Sequence, residues 1–175
     1  TVEIDGESYQ VALKQPRSSG TVHTDRLDRF VNEAETWAKL DDHDFIVGVV
    51  DWDTAPIPWI LLEYMDGGNL SEYVGTLDLE QAIWIAQCVS EGVSHAHTRG
   101  IAHLDLKPEN ILFRTTGPET YPVPKVADWG LSKAILDDEG EADGLSPQYA
   151  APEQVDSDRF GIPDQATDLY QLGAV

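Results

Sequence analysis

The sequence predicts an α+β fold, in which a small antiparallel sheet with one helix precedes a mainly helical part. Strand-like alternation in residues 9–14 follows an Asp-Gly turn signal, and two short apolar runs follow at 45–50 and 58–64. After a Gly-Gly pair, apolar residues recur at helical spacing over residues 79–97. The change from short runs to a long helical repeat predicts a sheet in the first part and helices in the second.

The first part is predicted to contain a hairpin, one helix and two further strands. The hairpin ends in a strand that carries Lys14, and a loop from Pro16 to Gly20 follows it. From Asp25 to Leu40 the apolar residues lie on one stripe, as in a helix packed on a sheet. An Asp/Pro turn joins the two later apolar runs, which we interpret as neighbouring strands.

The second part is predicted to be built on one long helix. Asn69 is placed to cap a short helix that ends at Tyr73, and the long helix runs from Leu79 to His97 and ends before Gly100. Its predicted buried stripe consists of apolar residues at helical spacing, widened towards burial on all sides by two neighbours. The stripe contains Ala82, Ile83, Ala86, Val89 and Val93, and the neighbours are Trp84 and Ile85.

Shorter elements complete the second part. We predict two strands around residues 111–113 and 125–127, an acidic loop from 137 to 144, and a final helix over 164–175. Cys88 is the one cysteine, which excludes an internal disulfide. Its place in a helical pattern favours a buried small side chain over a reactive thiol.

Acidic residues dominate the charge of the chain. The sequence has 32 Asp and Glu residues against 11 Lys and Arg, a formal net charge of -21 over 175 residues. Such a surface repels nucleic acids and anionic lipids, so neither is expected as a partner. Acidity spread along the chain with few lysines is typical of proteins from salt-loving archaea, where concentrated salt screens the repulsion. This composition therefore predicts a halophilic protein. Because neither a signal peptide nor an apolar stretch of about 20 residues is visible, we also expect it to be cytoplasmic.

Five separated motifs occur in a fixed order along the chain. They are Val11-Ala12-Leu13-Lys14, the helix that carries Glu33, His103-Leu104-Asp105-Leu106-Lys107-Pro108-Glu109-Asn110, Asp128-Trp129-Gly130 and Ala151-Pro152-Glu153. Any one of these motifs is weak evidence by itself. The ordered set closely resembles the eukaryotic-type serine/threonine protein kinases, over nearly the whole chain.

The resemblance implies a bilobal protein-kinase-like fold that is truncated at both ends. Residues 1–65 would form the N-lobe up to the hinge, without a glycine-rich loop. Residues 66–175 would form a partial C-lobe with the catalytic loop, the activation segment and the start of the central helix, whose Asp168 would steady the catalytic loop. The expected partners are then a protein substrate with Ser or Thr and the rest of the parent kinase chain.

The same resemblance implies ATP and Mg²⁺ as cofactors. Lys14 would reach the α- and β-phosphates of ATP, and Glu33 rather than Glu35 would hold it in place, although either glutamate could be a solvated charge. Asn110 and Asp128 would supply oxygen ligands to Mg²⁺, which prefers few protein oxygens together with phosphate and water. Phosphoryl transfer needs charge neutralisation and alignment more than covalent chemistry from the protein, and these residue types provide both.

The catalytic loop is similar to its serine/threonine-specific form. By resemblance, Asp105 would accept the proton of the attacking hydroxyl, and Lys107 would steady the transferred phosphoryl group as a point charge. Ser146 occupies the place where such kinases carry a Thr or Ser near the base. Base, phosphate clamp and metal ligand therefore lie close together because they must meet at one phosphoryl group.

The sequence signal for adenine binding is weaker than that for the catalytic residues, because adenine is bound through backbone groups. By resemblance, Leu62 would be the gatekeeper, and the backbone of Glu63 and Met65 would face the base, between the side chains of Ala12 and Leu112. Taken alone, the apolar run that ends at the hinge is explained equally well by an ordinary edge strand.

Leu104 departs from the family pattern. Most members have an Arg at this position, which pairs with a phosphorylated residue of the activation loop, and leucine makes no charge-assisted bond. Residues 132–146 contain neither Thr nor Tyr. We therefore expect activity that does not depend on phosphate in this loop and that survives phosphatase treatment of the purified protein.

Trp129 is a second departure, since Phe is usual there. We predict a stack of Trp129 with Trp37, His103 and Val49, which would tie the position of the first helix to that of the metal ligand. Independent core aromatics are the alternative. His103 is expected to be a packed, hydrogen-bonded core histidine rather than an acid or base.

Two other functions fit parts of the pattern. A pseudokinase that binds nucleotide or partner proteins without efficient catalysis is argued against by the complete set of catalytic residues, while the missing glycine-rich loop leaves it open. A small-molecule kinase of the aminoglycoside-phosphotransferase type is argued against by the motif at 151–153, since such enzymes lack this peptide-binding platform.

Overall fold

The structure is a computed structural model that describes residues 1–4, 6–16, 24–40, 43–117, 120–129 and 146–175. The strands are β1 (Val2–Ile4), β2 (Glu7–Tyr9), β3 (Val11–Lys14), β4 (Val49–Asp53), β5 (Trp59–Glu63), β6 (Ile111–Arg114) and β7 (Val123–Val126). The helices are α1 (Thr24–Ala38), α2 (Leu79–Thr98), α3 (Pro152–Val155), α4 (Ser157–Phe160) and α5 (Gln165–Ala174), with 3₁₀ turns at Leu70–Tyr73 and Pro108–Asn110. The loop predicted at 137–144, like most of 132–146, lies outside these ranges.

The predicted antiparallel sheet is present and carries Lys14. Strands β3, β5 and β4 lie side by side in that order, and both pairings are antiparallel. Ala12 pairs with Leu62 and Lys14 with Ile60. A β1–β2 hairpin precedes this sheet and turns through Gly6 at a φ of 83°, a conformation that glycine adopts without strain. The register fixes Lys14 at the end of β3, on the strand next to the predicted hinge.

Helix α1 covers the sheet with the apolar stripe that the sequence predicts. Phe30, Ala34 and Trp37, spaced three or four residues apart, are buried in the core. The indole Nε1 of Trp37 donates a hydrogen bond to the Val47 carbonyl over 2.7 Å. This bond anchors the last turn of α1 to the chain that enters β4.

The strand predicted at 45–50 is wrong in position, because β4 spans Val49–Asp53. Phe45 and Val47 instead contact the end of β7. The Val47 amide donates to the Val126 carbonyl over 3.0 Å, and the Val126 amide donates to the Phe45 carbonyl over 2.9 Å. The apolar run therefore marks a crossing between the two parts of the chain and not a full strand of the three-stranded sheet.

Helix α2 forms where predicted, but its buried face differs from the predicted one. Asp78 caps its N-terminus by accepting a hydrogen bond from the Gln81 amide, and Gly100 follows its end at a φ of 72°. Ile83 is exposed, so burial on all sides is wrong. The buried residues are Ile85, Cys88, Val89, Gly92, Val93 and Ala96. The helix has more apolar residues than it buries, so the sequence pattern did not show which of its faces is turned towards the core.

Cys88 is buried, as the sequence predicts. Burial raises the pKa of its thiol to about 11, so the thiol stays protonated at neutral pH.

The remaining elements close the second part of the chain. Strands β6 and β7 pair antiparallel, and β7 begins two residues before the predicted strand because Val123 pairs with Arg114. Asp164 caps helix α5 by accepting a hydrogen bond from the Ala166 amide over 2.7 Å, which confirms the predicted final helix. Within the described ranges, no helix is both long enough and apolar enough to cross a membrane.

Candidate active site

Lys14 contacts two carboxylates that are distant in sequence. Its Nζ lies 2.5 Å from Glu33 Oε1 and 2.6 Å from Asp128 Oδ1, whereas Glu35 on the same helix is exposed. Burial alone would lower the pKa of Lys14, but the charges and hydrogen bonds of Asp128 and Glu33 outweigh it, so the pKa lies above its ordinary value. The geometry therefore brings β3, α1 and the end of β7 together around one ammonium group.

The catalytic-loop residues form a second cluster. Lys107 Nζ lies 2.7 Å from Asp105 Oδ2 and donates to Ser146 Oγ over 3.1 Å. Asn110 Nδ2 donates to the carbonyl and to Oδ2 of Asp105, over 2.9 and 3.0 Å. Asp105 is thus held by an amide from one side and an ammonium from the other.

Short hydrogen bonds join the catalytic loop to the strand that leads to Asp128. The Ala127 amide donates to the Asn110 carbonyl over 2.8 Å. The His103 ring accepts from the Asp105 amide at Nδ1 over 3.2 Å and donates from Nε2 to the Ala127 carbonyl over 2.8 Å, which places the ring proton on Nε2. His103 is fully buried, so it is the packed, hydrogen-bonded histidine that the sequence predicts.

Two non-glycine residues, one in the Lys14 cluster and one next to Asp105, have left-handed backbone conformations. Leu104 has a φ of 63° and Asp128 a φ of 62°. Such conformations are strained by about 1 to 3 kcal/mol each and persist only where the surroundings hold them. At Leu104 the holding group is Asp168, whose Oδ1 accepts from the Leu104 amide and whose Oδ2 accepts from the His103 amide, both over 2.7 Å. The role expected of Asp168 therefore has a geometric basis.

The other side of Leu104 is held by two glutamines that the sequence reading missed. Gln154 and Gln171 both donate to the Leu104 carbonyl, over 2.7 and 3.3 Å. The available signal was Gln171 itself. It follows Asp168 by three residues in α5, on the face that a helix turns towards its core.

The residues predicted to bind adenine lie around the end of β5. Leu62 is buried beside Ala12, and Met65 and Leu112 pack against the same core. Backbone bonds lock the following turn onto β6, since the Gly67 amide donates to the Phe113 carbonyl and the Phe113 amide to the Gly68 carbonyl.

The side chain of Glu63 has a role that the sequence reading also missed. Its Oε2 lies 2.7 Å from Lys125 Nζ and its Oε1 lies 2.6 Å from an Nη of Arg114. The side chain therefore connects β5 to both strands of the β6–β7 sheet. Burial alone would raise the pKa of Glu63, but the hydrogen bond and charge of Lys125, the Gly48 amide and Arg114 outweigh it. The pKa therefore lies below its ordinary value.

The predicted aromatic stack is present in part. The His103 and Trp129 rings meet edge to face, with centroids 4.7 Å apart, and Trp129 is fully buried. Trp37 and Trp129 belong to the same hydrophobic core, and Val49 packs against this core. Trp37 also donates a hydrogen bond to the Val47 carbonyl, and the Lys14 ammonium lies 5.7 Å from its ring centroid.

Comparison with known proteins shows the family of this chain. The protein kinase domain model matches residues 3–175. The serine/threonine-protein kinase Pkn1 of Myxococcus xanthus is 37% identical over 173 residues, which cover 95% of this chain and 24% of the relative. PknB of Mycobacterium leprae is 35% identical over 159 residues, covering 84% of this chain and 24% of the relative. PrkC of Bacillus subtilis is 32% identical over 174 residues, covering 95% of this chain and 25% of the relative.

The chain spans about a quarter of the length of these relatives. The match covers the sheet with Lys14, the catalytic loop and α5 alike. The chain therefore belongs to the protein kinase family, and these relatives within it are serine/threonine-protein kinases.

Proposed function

We propose that the chain carries out ATP- and Mg²⁺-dependent transfer of the γ-phosphate to Ser or Thr hydroxyls of protein substrates. One observation carries the proposal. Lys14 Nζ and Asp128 Oδ1, from residues 114 positions apart in sequence, lie 2.6 Å from each other. Asp128 directly follows Ala127, whose amide donates a hydrogen bond to Asn110 of the catalytic loop. Convergence of an ammonium and a carboxylate from distant parts of the chain is what phosphate alignment requires.

Lys14 binds the α- and β-phosphates in this proposal, and Glu33 holds its ammonium in place. Glu33 is less exposed than Lys14, with 16% against 35% of the side chain accessible, so it acts as the fixed partner. Asp128 is 51% exposed and is free to turn towards a cation. The pair thus presents one positive and one negative group to the nucleotide.

Asn110 and Asp128 suit Mg²⁺ by the chemistry of their donor atoms. Both offer hard oxygens, and Asn110 directs its Nδ2 at Asp105, which leaves its Oδ1 as the atom that would hold the metal. Within the described residues, no group of three or more His, Cys, Asp or Glu could hold a metal. Two protein oxygens completed by phosphate and water match the preference of Mg²⁺, which would neutralise phosphate charge.

Asp105 orients the acceptor hydroxyl and accepts its proton. Asn110 and Lys107 restrain its carboxylate, and Lys107 is within reach of both the base and Ser146. An ammonium in this place stabilises the charge of the phosphoryl group during its transfer.

The backbone of Glu63 and Met65 faces adenine in this proposal, between the side chains of Ala12 and Leu112.

A transfer assay with the full-length natural protein tests this function. We expect wild type to transfer phosphate from ATP to a mixed Ser/Thr peptide substrate. Asp105→Asn and Asp128→Asn should each slow single-turnover transfer at least about 100-fold, because each removes a group that acts on the reacting phosphate. Asp158→Asn, an exposed aspartate in α4, is the matched control and should behave as wild type. Nucleotide binding without any transfer by wild type would overturn the proposal.

A further inference from the structure

The carbonyl of Leu104 accepts two side-chain amide donors, which is unusual for a carbonyl inside a catalytic loop. Gln154 Nε2 donates to it over 2.7 Å and Gln171 Nε2 over 3.3 Å. Leu104 is buried, and its φ of 63° is strained for a residue with a branched side chain. The strained peptide that precedes Asp105 therefore depends on groups outside the loop to keep its conformation.

The two glutamines are joined to each other and to two further backbone groups. Gln171 Nε2 also donates to Gln154 Oε1 over 3.0 Å, and the same oxygen accepts from the Ala151 amide over 3.0 Å. Gln171 Oε1 accepts from the Leu106 amide over 2.9 Å. A continuous path of hydrogen bonds therefore runs from Ala151 to the residues on both sides of Asp105.

The buried side-chain amide of Gln171 has hydrogen-bond partners at both ends. The residue is 2% exposed. Burying an amide is unfavourable unless both of its ends are bonded, and here Nε2 and Oε1 both have partners. The partners also fix the orientation of the amide, because a flipped Gln171 would place its NH₂ group against the Leu106 amide, donor against donor.

We propose that Gln154 and Gln171 form a positioning relay, which locks residues 151–155 to the catalytic loop and sets the position of Asp105. The inference rests on the proposed function and adds to it how the base is held. Every member of the relay is uncharged, so it needs no phosphate to assemble. This gives a physical reason why an apolar residue can occupy position 104, where a charged link to the activation loop is absent.

The relay acts on transfer and not on nucleotide binding. Among the residues that the structure describes, the side-chain hydrogen bonds of the two glutamines go to Ala151, Leu104, Leu106 and each other, and none goes to Lys14, Asp128 or the end of β5. Loss of the relay should therefore leave ATP affinity unchanged while Asp105 is held less well. A purely structural role would lower both in proportion to the unfolded fraction.

The test uses an isosteric change in the full-length natural protein. Gln171→Glu keeps the acceptor for the Leu106 amide but sets carboxylate oxygens against the Leu104 carbonyl and Gln154 Oε1. We expect single-turnover transfer to slow about 10- to 100-fold, with the Kd of ATP within about 2-fold of wild type. The matched control is Gln165→Glu, because Gln165 lies in the same helix, is exposed and donates its Nε2 to the His97 carbonyl over 2.8 Å. This control should transfer phosphate at the wild-type rate.

Gln154→Ala gives a second variant in case Gln171→Glu folds poorly, because Gln154 is only half-buried. It should reproduce the loss of transfer with unchanged ATP affinity, and adding it to Gln171→Glu should cause little further loss. Transfer at the wild-type rate in either folded variant would overturn the relay, and so would equal losses of transfer and ATP affinity.

Amide hydrogen exchange separates the relay from the proposed function. Gln171→Glu should speed exchange over residues 103–106 at least about 10-fold relative to Gln165→Glu, whether or not phosphate is transferred. If wild type transfers no phosphate but the exchange changes, the proposed function fails and the structural relay stands. Unchanged exchange over 103–106 would reject the relay.

Discussion

The two halves of the candidate active site are held by different kinds of interaction. Around Lys14 the groups are charged and partly exposed, with Asp128 half open to solvent. Around Leu104 they are buried and mostly bonded to backbone, with Asp168 and Gln171 almost inaccessible. The charged groups around Lys14 can exchange their present partners for water or for a bound ligand. The buried groups around Leu104 cannot, because a buried donor or acceptor that loses its partner is not rehydrated.

This contrast indicates which half can rearrange. An exposed ion pair stabilises a protein by roughly 0 to 1 kcal/mol, so the contact between Lys14 and Asp128 can be broken at little cost, as the proposed binding of phosphate and cation requires. The catalytic loop is fixed before the nucleotide arrives, since its strained backbone already has its partners. In the proposed function, preorganisation of the base and adaptability of the phosphate-binding groups therefore lie in separate residues.

The largest effect on stability is expected at Asp168. Asp168→Ala should lower the free energy of unfolding by about 3 to 5 kcal/mol, because it leaves the buried amides of His103 and Leu104 and the His97 ring without an acceptor. Chemical denaturation measures the change. Asp164→Ala, which removes only the cap of the same helix, is the control and should cost about 1 kcal/mol. Equal losses for the two variants would remove the basis for calling the loop buried and fixed.

An intermediate effect is expected at Glu63. Glu63→Gln should lower the free energy of unfolding by about 1 to 2 kcal/mol at pH 7, since it loses two ion pairs of which the one to Arg114 is half exposed and screened. The pKa of folded Glu63 is lowered, so its contribution is present above the ordinary value of 4.5 and is lost as pH falls through the lower folded value.

The pH dependence provides the check on Glu63. Unfolding curves recorded from pH 7 down to pH 3 should show wild type losing stability relative to Glu63→Gln as pH falls below about 4.5. A difference between the two proteins that stays constant over this range would show that the carboxylate of Glu63 is not held by Lys125 and Arg114.

The smallest effect on stability is expected at Lys14, and it separates the two halves most clearly. Lys14→Met should change the free energy of unfolding by less than about 1 kcal/mol, because its ion pairs are partly exposed. Phosphate transfer should still fall at least about 100-fold, because the ammonium that aligns the phosphates is gone. Denaturation and single-turnover assays on the same samples decide this, and a stability loss as large as that of Asp168→Ala would contradict the contrast.

The sequence predicted the members of the charged half well, because each carries an uncommon chemistry in a recognisable motif. Lys14, Glu33 and Asp128 meet as the motif order implied, and Asp105, Lys107 and Asn110 form the second cluster. Their roles in catalysis stay predictions, and so do the division of the chain near residue 65 and a salt-loving source.

The sequence predicted less of what holds those residues. Glutamines are common on helix surfaces, so Gln154 gave no sign of pointing inwards, and only the spacing of three residues from Asp168 marked Gln171. Glu63 entered the prediction through its backbone, while its side chain joins Lys125 across a separation of 62 residues, which no local pattern reports. The predicted buried face of α2 was wrong for a related reason, because the helix has more apolar residues than its neighbours cover.

Amide hydrogen exchange with and without Mg²⁺ and a non-hydrolysable ATP analogue tests the central claim most directly. In the full-length natural protein, residues 103–107 should be protected before the nucleotide is added and should change little on its addition. The segments around Lys14 and Asp128 should become markedly more protected when it binds. A catalytic loop that gains its protection only with nucleotide, or a Lys14 segment that does not respond, would contradict the account.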